Sequence, residues 1–298
     1  MGHESVWNKG GALAGELDRA FETCARLAME HYENFTVGSL LFPKRLRRHL
    51  WSVYAYCRTT DDLGDEAPGD RLRLLDAWEE ELHACFAGRP RHPVMKALHE
   101  TIEVFGLSKE PFLRLIEANR IDQTKRTYHS FAELLHYCTL SANPVGRIVL
   151  RLAGCSDPKA AELSDAVCTG LQLANFWQDV ARDLAAGRIY IPLEDMERFD
   201  YSPADLERRV CDSRFKSLMR FEVVRTREFL DRGEALIPMM LGRFRIDVAL
   251  FGMGGRAVLD AIERRGFDVL TNRPSVSRAA KAKLFLKAAW MYGPWRRT

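Results

Sequence analysis

The sequence predicts an all-α fold, and three observations carry that prediction. Apolar residues recur at helical spacings, in Leu72, Leu75, Trp78 and Leu82 and less regularly in Leu113, Ile116 and Ile121, as the buried face of a helix requires. Runs of alternating Val, Ile and Thr, the pattern of half-buried strands, are almost absent. Breakers at Pro43, Pro68-Gly69, Gly88-Arg89-Pro90, Gly106, Pro144, Gly154, Pro192, Pro203 and Gly266 divide the chain into roughly a dozen helical segments. No long linker, low-complexity tract or charge block stands between them. Residues 1–298 are therefore read as a single all-helical domain, with ends of about 1–15 and 290–298 disordered.

Composition narrows the function classes. A hydrophobic share of 47% over 298 residues allows a sizeable core. The net charge of +3 is too mild to argue for nucleic acid, and leaves an anionic small molecule or an anionic membrane surface open. The seven cysteines are scattered and none forms a Cys-x-x-Cys pair, which suggests neither a zinc site nor a disulfide framework. Reduced thiols in a cytoplasm are the simplest reading. Met1 to Gly15 lack the apolar run of a signal peptide, and no stretch of about 18 apolar residues occurs. The expectation is a cytoplasmic protein, at most peripheral on the inner face of the membrane.

The first chemistry-bearing segment is Tyr54-Ala-Tyr-Cys-Arg-Thr-Thr-Asp61-Asp62-Leu-Gly-Asp65-Glu66. On a helix Asp61 and Asp65 share a face, with Asp62 beside them. Like charges at that spacing destabilise a helix by about 0.2–0.5 kcal/mol per pair, so they need a reason to be there. Leu50, Trp51, Val53 and Tyr54 just upstream suggest a stripe running into a core, where carboxylates need a counter-ion. Oxygen ligands without histidine suit magnesium. A solvated acidic helix end before Pro68 is the alternative.

The second segment is Gln172-Leu-Ala-Asn175-Phe-Trp-Gln178-Asp179-Val-Ala-Arg182-Asp183. Spacings of three, four and four align Gln172, Asn175, Asp179 and Asp183 along one stripe, amid Leu171, Leu173, Phe176 and Trp177. The helix should end at Gly187-Arg188-Ile189-Tyr190-Ile191-Pro192. Two such stripes can face each other across a helical bundle. Magnesium binds through a few carboxylates plus substrate phosphates, so opposed stripes could neutralise a departing diphosphate.

Taken together, Tyr54-Ala-x-Cys57-Arg58-x-x-Asp61-Asp62-x-x-Asp65-Glu66, Gln172-x-x-Asn175-x-x-x-Asp179-x-x-x-Asp183 and Gly187-Arg188-x-Tyr190-x-Pro192 resemble the squalene/phytoene synthase family, from about Phe35 to Leu284. The resemblance implies an isoprenoid-synthase-type helical bundle with a central cavity. It also implies two or three magnesium ions held by Asp61, Asp62, Asp65, Asn175, Asp179 and Asp183. Arg58, Gln172 and Arg273, before Ser275-Val276-Ser277, are the implied substrate-binding residues. Leu134-Leu135-x-Tyr137-Cys138 matches the family's helix carrying a cavity tyrosine. Tyr54 and Tyr137 could present ring faces to a carbocation, or could simply pack in the core. Arg45, Arg47 and Arg48 are expected mainly to form a solvated face.

Departures from the family pattern point to a branch. Gln178 stands where arginine is common, and Arg182 where glutamate is common. Ser141-Ala142-Asn143-Pro144-Val145-Gly146 replaces an Ala-Gly-x-Val-Gly pattern, and Gly254-Gly255 replaces a region where tyrosine is frequent. With Asn34-Phe35 and Asn175-Phe176-Trp177, these look like the hydroxysqualene synthase branch of hopanoid biosynthesis. That implies ionisation of presqualene diphosphate and capture of the cation by water, without NADPH. Gly252-Met-Gly254-Gly255 lies in helical surroundings and is a weak dinucleotide signal. Asn143, beside the helix interruption at Pro144, is the candidate holder of that water. Head-to-head condensation of farnesyl diphosphate or another prenyl diphosphate is the alternative reaction. A non-catalytic assembly or lipid-binding relative is the alternative from another class, although all five aspartates are retained. The C-terminal run Leu284 to Thr298, with Trp290, Tyr292 and Trp295 beside basic residues, reads as an interfacial anchor or as a last helix packed on the core.

Overall fold

The protein is described by a computed structural model covering residues 4–30 and 44–293. Pro43, Asn34-Phe35 and Trp295 lie outside the described residues. The chain divides into two compact units, residues 1–123 and 124–298. Among the described residues every regular element is a helix, apart from one isolated bridge between Thr127 and Ile189.

The first unit contains α1 (Glu4–Glu30), α2 (Lys44–Asp65), α3 (Arg71–Phe86), α4 (Pro93–Phe105) and α5 (Glu110–Thr124). Helix α1 buries Ala20, Phe21, Cys24 and Ala28, again at spacings of three and four once Phe21 is reached. Helix α2 buries Leu50, Val53 and Tyr56. The Tyr56 ring stacks on Trp78 at 5.7 Å and meets Phe112 edge-on at 5.1 Å, and its hydroxyl donates to the Phe112 carbonyl. Asp70 caps α3 by accepting from the Arg73 amide. The buried stripe of α3 is Leu75, Trp78, Leu82 and Cys85, whereas Leu72, predicted as part of that face, is 42% exposed in the first turn. In α5 the buried side chains are Phe112, Leu115, Ile116 and Asn119, with Leu113 and Ile121 only half-buried. Gly106, left-handed at φ 60°, closes α4.

The second unit contains α6 (Phe131–Ser141), α7 (Asn143–Leu152), α8 (Pro158–Ala185), α9 (Leu193–Arg198), α10 (Pro203–Glu207), α11 (Ser213–Gly233), a 3-10 turn (Glu234–Met239), α12 (Phe244–Arg264) and α13 (Arg278–Tyr292). The capping residues are Ser130, Asp157, Ser202, Asp212 and Ser277. Helix α8 is the axis, with α7, α11 and α12 packed on it. Leu163 and Val167 of α8 share a core with Leu150, Leu236 and Met240. Pro144 does interrupt a helix: α6 ends at Ser141 and α7 begins at Asn143. Close approach of α7 to α8 depends on Gly146, because a Cβ there would lie 2.4 Å from Ser164 Oγ and 2.5 Å from Cys168 Sγ. Gly252, Gly254 and Gly255 sit inside α12, so no strand-to-helix nucleotide turn forms there.

All seven cysteines are free, and burial pushes the thiols of Cys24, Cys85, Cys138 and Cys168 up to about 12. Among the described residues no helix is long and apolar enough to cross a membrane.

Candidate functional site

In the first unit α2 continues without a break through its acidic end. Asp61 and Asp65 are exposed and Asp62 is half-buried. Arg58, one turn back, bridges Asp62 and, at 2.9 Å, Glu66. The stripe thus carries its own counter-ion, which offsets the repulsion expected of Asp61, Asp62 and Asp65. Asp61 accepts from Asn119 Nδ2 at 3.2 Å. Crowding by protein pushes the Asp61 carboxyl up to about 7; the Asn119 hydrogen bond pulls it down, and neighbouring Asp65 raises it further. Its outer surface is open to water, which screens part of that effect, so the upward direction is what its surroundings fix.

Two residues of this site escaped sequence reasoning. Asn119 and Gln123, one turn apart on α5, tie that helix to α2. Gln123 Nε2 donates to the Gly64 carbonyl at 3.0 Å, alongside the Asn119–Asp61 bond. Gly64 makes the approach possible, since a Cβ there would lie 2.3 Å from Asn119 Oδ1. The signal was present as an Asn-x-x-x-Gln pair on a helix, but without a partner in sequence it had no meaning.

In the second unit, the polar stripe of α8 is solvent-facing along one side. Gln172, Asp179 and Asp183 are half-buried and Asn175 is exposed, while Leu173, Phe176, Trp177 and Val180 are buried opposite. Arg273 folds onto this stripe. Its Nε donates to Asp179 Oδ1, and its Nη2 donates to Asp179 Oδ2 at 3.1 Å and to Gln178 Oε1 at 3.0 Å. Gln178 is itself buried, and its Nε2 donates to the Pro274 carbonyl at 2.6 Å. The position noted as a departure from the family pattern therefore fastens the loop that carries Arg273.

An aromatic cluster lies against the same helix. Phe176 stacks on Tyr190 at 3.9 Å, Tyr190 on Tyr128 at 5.6 Å, and Tyr137 stands 5.6–6.2 Å from all three. All four rings are buried. A small recess beside them is lined by Phe176, Val180, Asp183, Arg188, Tyr190 and Leu206. In the first unit Tyr54 is half-buried, and burial raises its hydroxyl above the usual range. Asn143 is buried and accepts from Thr169 Oγ1 at 3.0 Å, a bond that fastens α7 to α8. Of the arginine cluster, Arg45 is exposed, Arg47 lies 6.0 Å from the Trp51 ring and Arg48 lies 4.1 Å over the Phe21 ring.

Other buried acids belong to the core of the second unit. Arg225 reaches Asp195 and Glu222, each at 2.6 Å, and stacks 3.4 Å over Phe131. Burial pushes the Glu222 carboxyl up to about 8. Asp247, in the first turn of α12, is 1% exposed with neither carboxyl oxygen hydrogen-bonded. Burial pushes it up to about 8, with Arg243 acting the other way. Burial thus favours the protonated form of both.

The donor chemistry of the two stripes fits magnesium, being carboxylate and amide oxygen throughout. Among the described residues no three acidic, histidine or cysteine side chains gather closely enough to cage an ion alone.

The squalene/phytoene synthase family profile matches residues 28–280. The chain is 35% identical over 289 residues to the 15-cis-phytoene synthase of Synechocystis sp., covering 92% of this chain and 86% of that protein. It is 35% identical over 272 residues to the phytoene synthase of Arthrospira platensis, covering 86% and 88%. Among solved structures it is similar to the squalene synthase HpnC from Alicyclobacillus acidocaldarius, with 49% identity, a TM-score of 0.82, and coverage of 85% of this chain and 96% of that one. A ligand-bound dehydrosqualene synthase shares the fold at a TM-score of 0.85 and 23% identity, covering 94% and 98%. The fold is thus the isoprenoid-synthase-type helical fold.

Proposed function

The chain belongs to the squalene/phytoene synthase family, enzymes acting on prenyl diphosphates, and within it we propose that it ionises presqualene diphosphate and captures the cation with water, giving hydroxysqualene and diphosphate. One observation favours a squalene-type over a phytoene-type enzyme: 49% identity to a squalene synthase, against 35% to the phytoene synthases. The departures at Gln178, Arg182, Ser141 to Gly146 and Gly254-Gly255 support the same choice.

The reaction balances without a reductant. The carbon–oxygen bond of the ester breaks and its electron pair leaves with the diphosphate. The cyclopropylcarbinyl cation rearranges, a cyclopropane carbon–carbon bond opens, and a water oxygen bonds to the cationic carbon of the opened chain as one proton is released. When bound, two or three magnesium ions supply electrostatic neutralisation of the departing diphosphate. Asp61, Asp62 and Asp65 on α2, and Asn175, Asp179 and Asp183 on α8, are the residues that would hold them. Arg58, Arg273 and Gln172 orient the diphosphate, the arginines through guanidinium forks suited to phosphate oxygens. Tyr54 and Tyr137 offer ring faces to positive charge on the hydrocarbon. Asn143 holds the water.

Condensation of two prenyl diphosphates is the second reading, favoured by the phytoene synthases among the relatives. The test supplies purified protein and magnesium, without nicotinamide, with presqualene, farnesyl or geranylgeranyl diphosphate in separate reactions. Consumption of presqualene diphosphate to an alcohol supports the first reading. Consumption of geranylgeranyl diphosphate to phytoene, with presqualene diphosphate untouched, replaces it with the second.

A further inference from the structure

Helix α13 is apolar on two opposite sides. Toward the interior Ala288 is fully buried, and Leu284 and Met291 are half-buried where α13 packs on α12. On the outer side Leu286 is 66% exposed and Trp290 62% exposed. One turn separates them, and exposed Ala282 and Ala279 continue the same stripe toward the N-terminus. The fifteen residues span about 22 Å at 1.5 Å per residue.

Charge on this helix has one sign. Arg278, Lys281, Lys283 and Lys287 are all exposed, and the helix contains no aspartate or glutamate. A helix with one apolar face is satisfied by the core it packs on; a second apolar face, ringed by polar residues, marks a contact with something else. A second copy using the same patch would bring two sets of cations together, because a two-fold interface is self-complementary. An anionic surface meets no such repulsion. Tryptophan at the depth of lipid headgroups, with lysine stems covering apolar surface and their ammonium groups at phosphates, satisfies every side chain of the stripe.

We propose that the outer face of α13, centred on Leu286 and Trp290 and flanked by Arg278, Lys283 and Lys287, docks this enzyme on an anionic lipid bilayer. The helix lies along the surface and does not span it. Docking sets no condition on which prenyl diphosphate is used, so it stands or falls separately from the reaction proposed above. It places the enzyme where a long hydrocarbon substrate is dissolved and where an equally apolar product must go.

The experiment is vesicle flotation of the full chain. Vesicles of phosphatidylcholine alone are compared with vesicles containing about one-third phosphatidylglycerol, at low salt and at about 0.5 M salt. Binding is expected to the anionic vesicles at low salt, and to weaken at least tenfold on neutral vesicles or in high salt. The double variant Leu286→Glu/Trp290→Glu should lose at least tenfold in binding while keeping its circular dichroism and its turnover of detergent-dispersed substrate. Lys283→Glu/Lys287→Glu changes only exposed charges; it should lose binding similarly, and it decides the matter should the apolar variant misfold. Undiminished binding of the charge variant overturns the proposal. So does absence of vesicle binding together with a dimer in sedimentation velocity that Leu286→Glu/Trp290→Glu dissociates, which would make this face a contact between copies.

Discussion

Arg273 grips both carboxylate oxygens of Asp179 while the same guanidinium nitrogen that meets Oδ2 also donates to Gln178 Oε1. Gln178 in turn holds the Pro274 carbonyl, so one buried amide fixes a loop, an arginine and a proposed metal ligand together. Because Arg273 is exposed, its ion pair with Asp179 contributes only about 0.2–1 kcal/mol to stability. The arrangement keeps Arg273 beside Asp179 and within reach of a diphosphate that Asp179 would help to bind.

Gln178→Leu removes both bonds with little change in volume. Its expected effect is a loss of roughly tenfold in kcat/KM, about 1.4 kcal/mol of transition-state stabilisation, carried mainly by KM for the diphosphate substrate. Arg273→Lys should cost at least as much, because an ammonium cannot grip a carboxylate bidentately. Steady-state kinetics of both variants, with thermal melts as a control for folding, check this.

Gly64→Ala tests the join between α2 and α5. The new methyl would collide with Asn119 Oδ1, so a loss of about 1–3 kcal/mol in stability is expected. Asn119→Ala in the same chain should recover much of that loss, a coupling that a double-mutant cycle in urea would read. The magnesium requirement of Asn119→Ala should rise, since Asp61 loses its amide partner.

The two polar stripes were legible in the sequence as helix faces, because their spacing is local to a helix; their role in binding metal and diphosphate is the proposal made above. Asp61 with Asp65, and Asp179 with Asp183, share faces by spacing alone. Gln172 and Asn175 were recognised for the same reason. What the spacing could not show is how each stripe is supported. Asn119 and Gln123 reach Asp61 and Gly64 from another helix, and Gln178 was visible only as a departure until Pro274 and Arg273 gave it partners. Leu72 kept its helical period but fell in an exposed first turn. Arg48 had been counted with a solvated face and lies over the Phe21 ring. Asp247 and Glu222 gave no signal, since a carboxyl in a helix looks the same in sequence whether it meets water or core.

Those two acids set the pH dependence of stability. Each holds a proton in the folded state up to about pH 8, whereas in the unfolded chain it ionises near its ordinary value. The folded state therefore binds more protons across that window, and stability falls as pH rises toward 8. His49 acts oppositely: burial lowers it to about 4, and its contribution grows as pH rises from there to about 6.5. Thermal melts should therefore show the midpoint declining between about pH 6.5 and 8. Asp247→Asn should flatten that decline; an unchanged slope would mean that Asp247 is ionised in the folded protein.

Asn143→Ala bears on how the cation ends. Thr169 loses its buried partner, so a stability loss of about 1–3 kcal/mol is expected. The variant should still consume presqualene diphosphate but yield more eliminated hydrocarbon and less alcohol. An unchanged alcohol fraction would leave Asn143 with the Thr169 bond as its whole role. Gas chromatography of the extracted products measures it.

The measurement closest to the central claim follows the oxygen atom. Purified protein is given magnesium and presqualene diphosphate in water enriched in oxygen-18, without nicotinamide, and the extracted product is analysed by mass spectrometry. Capture by solvent water predicts one heavy oxygen in the alcohol, because the ester oxygen leaves with the diphosphate. An alcohol without label, a product that is hydrocarbon only, or failure to consume presqualene diphosphate would contradict the account.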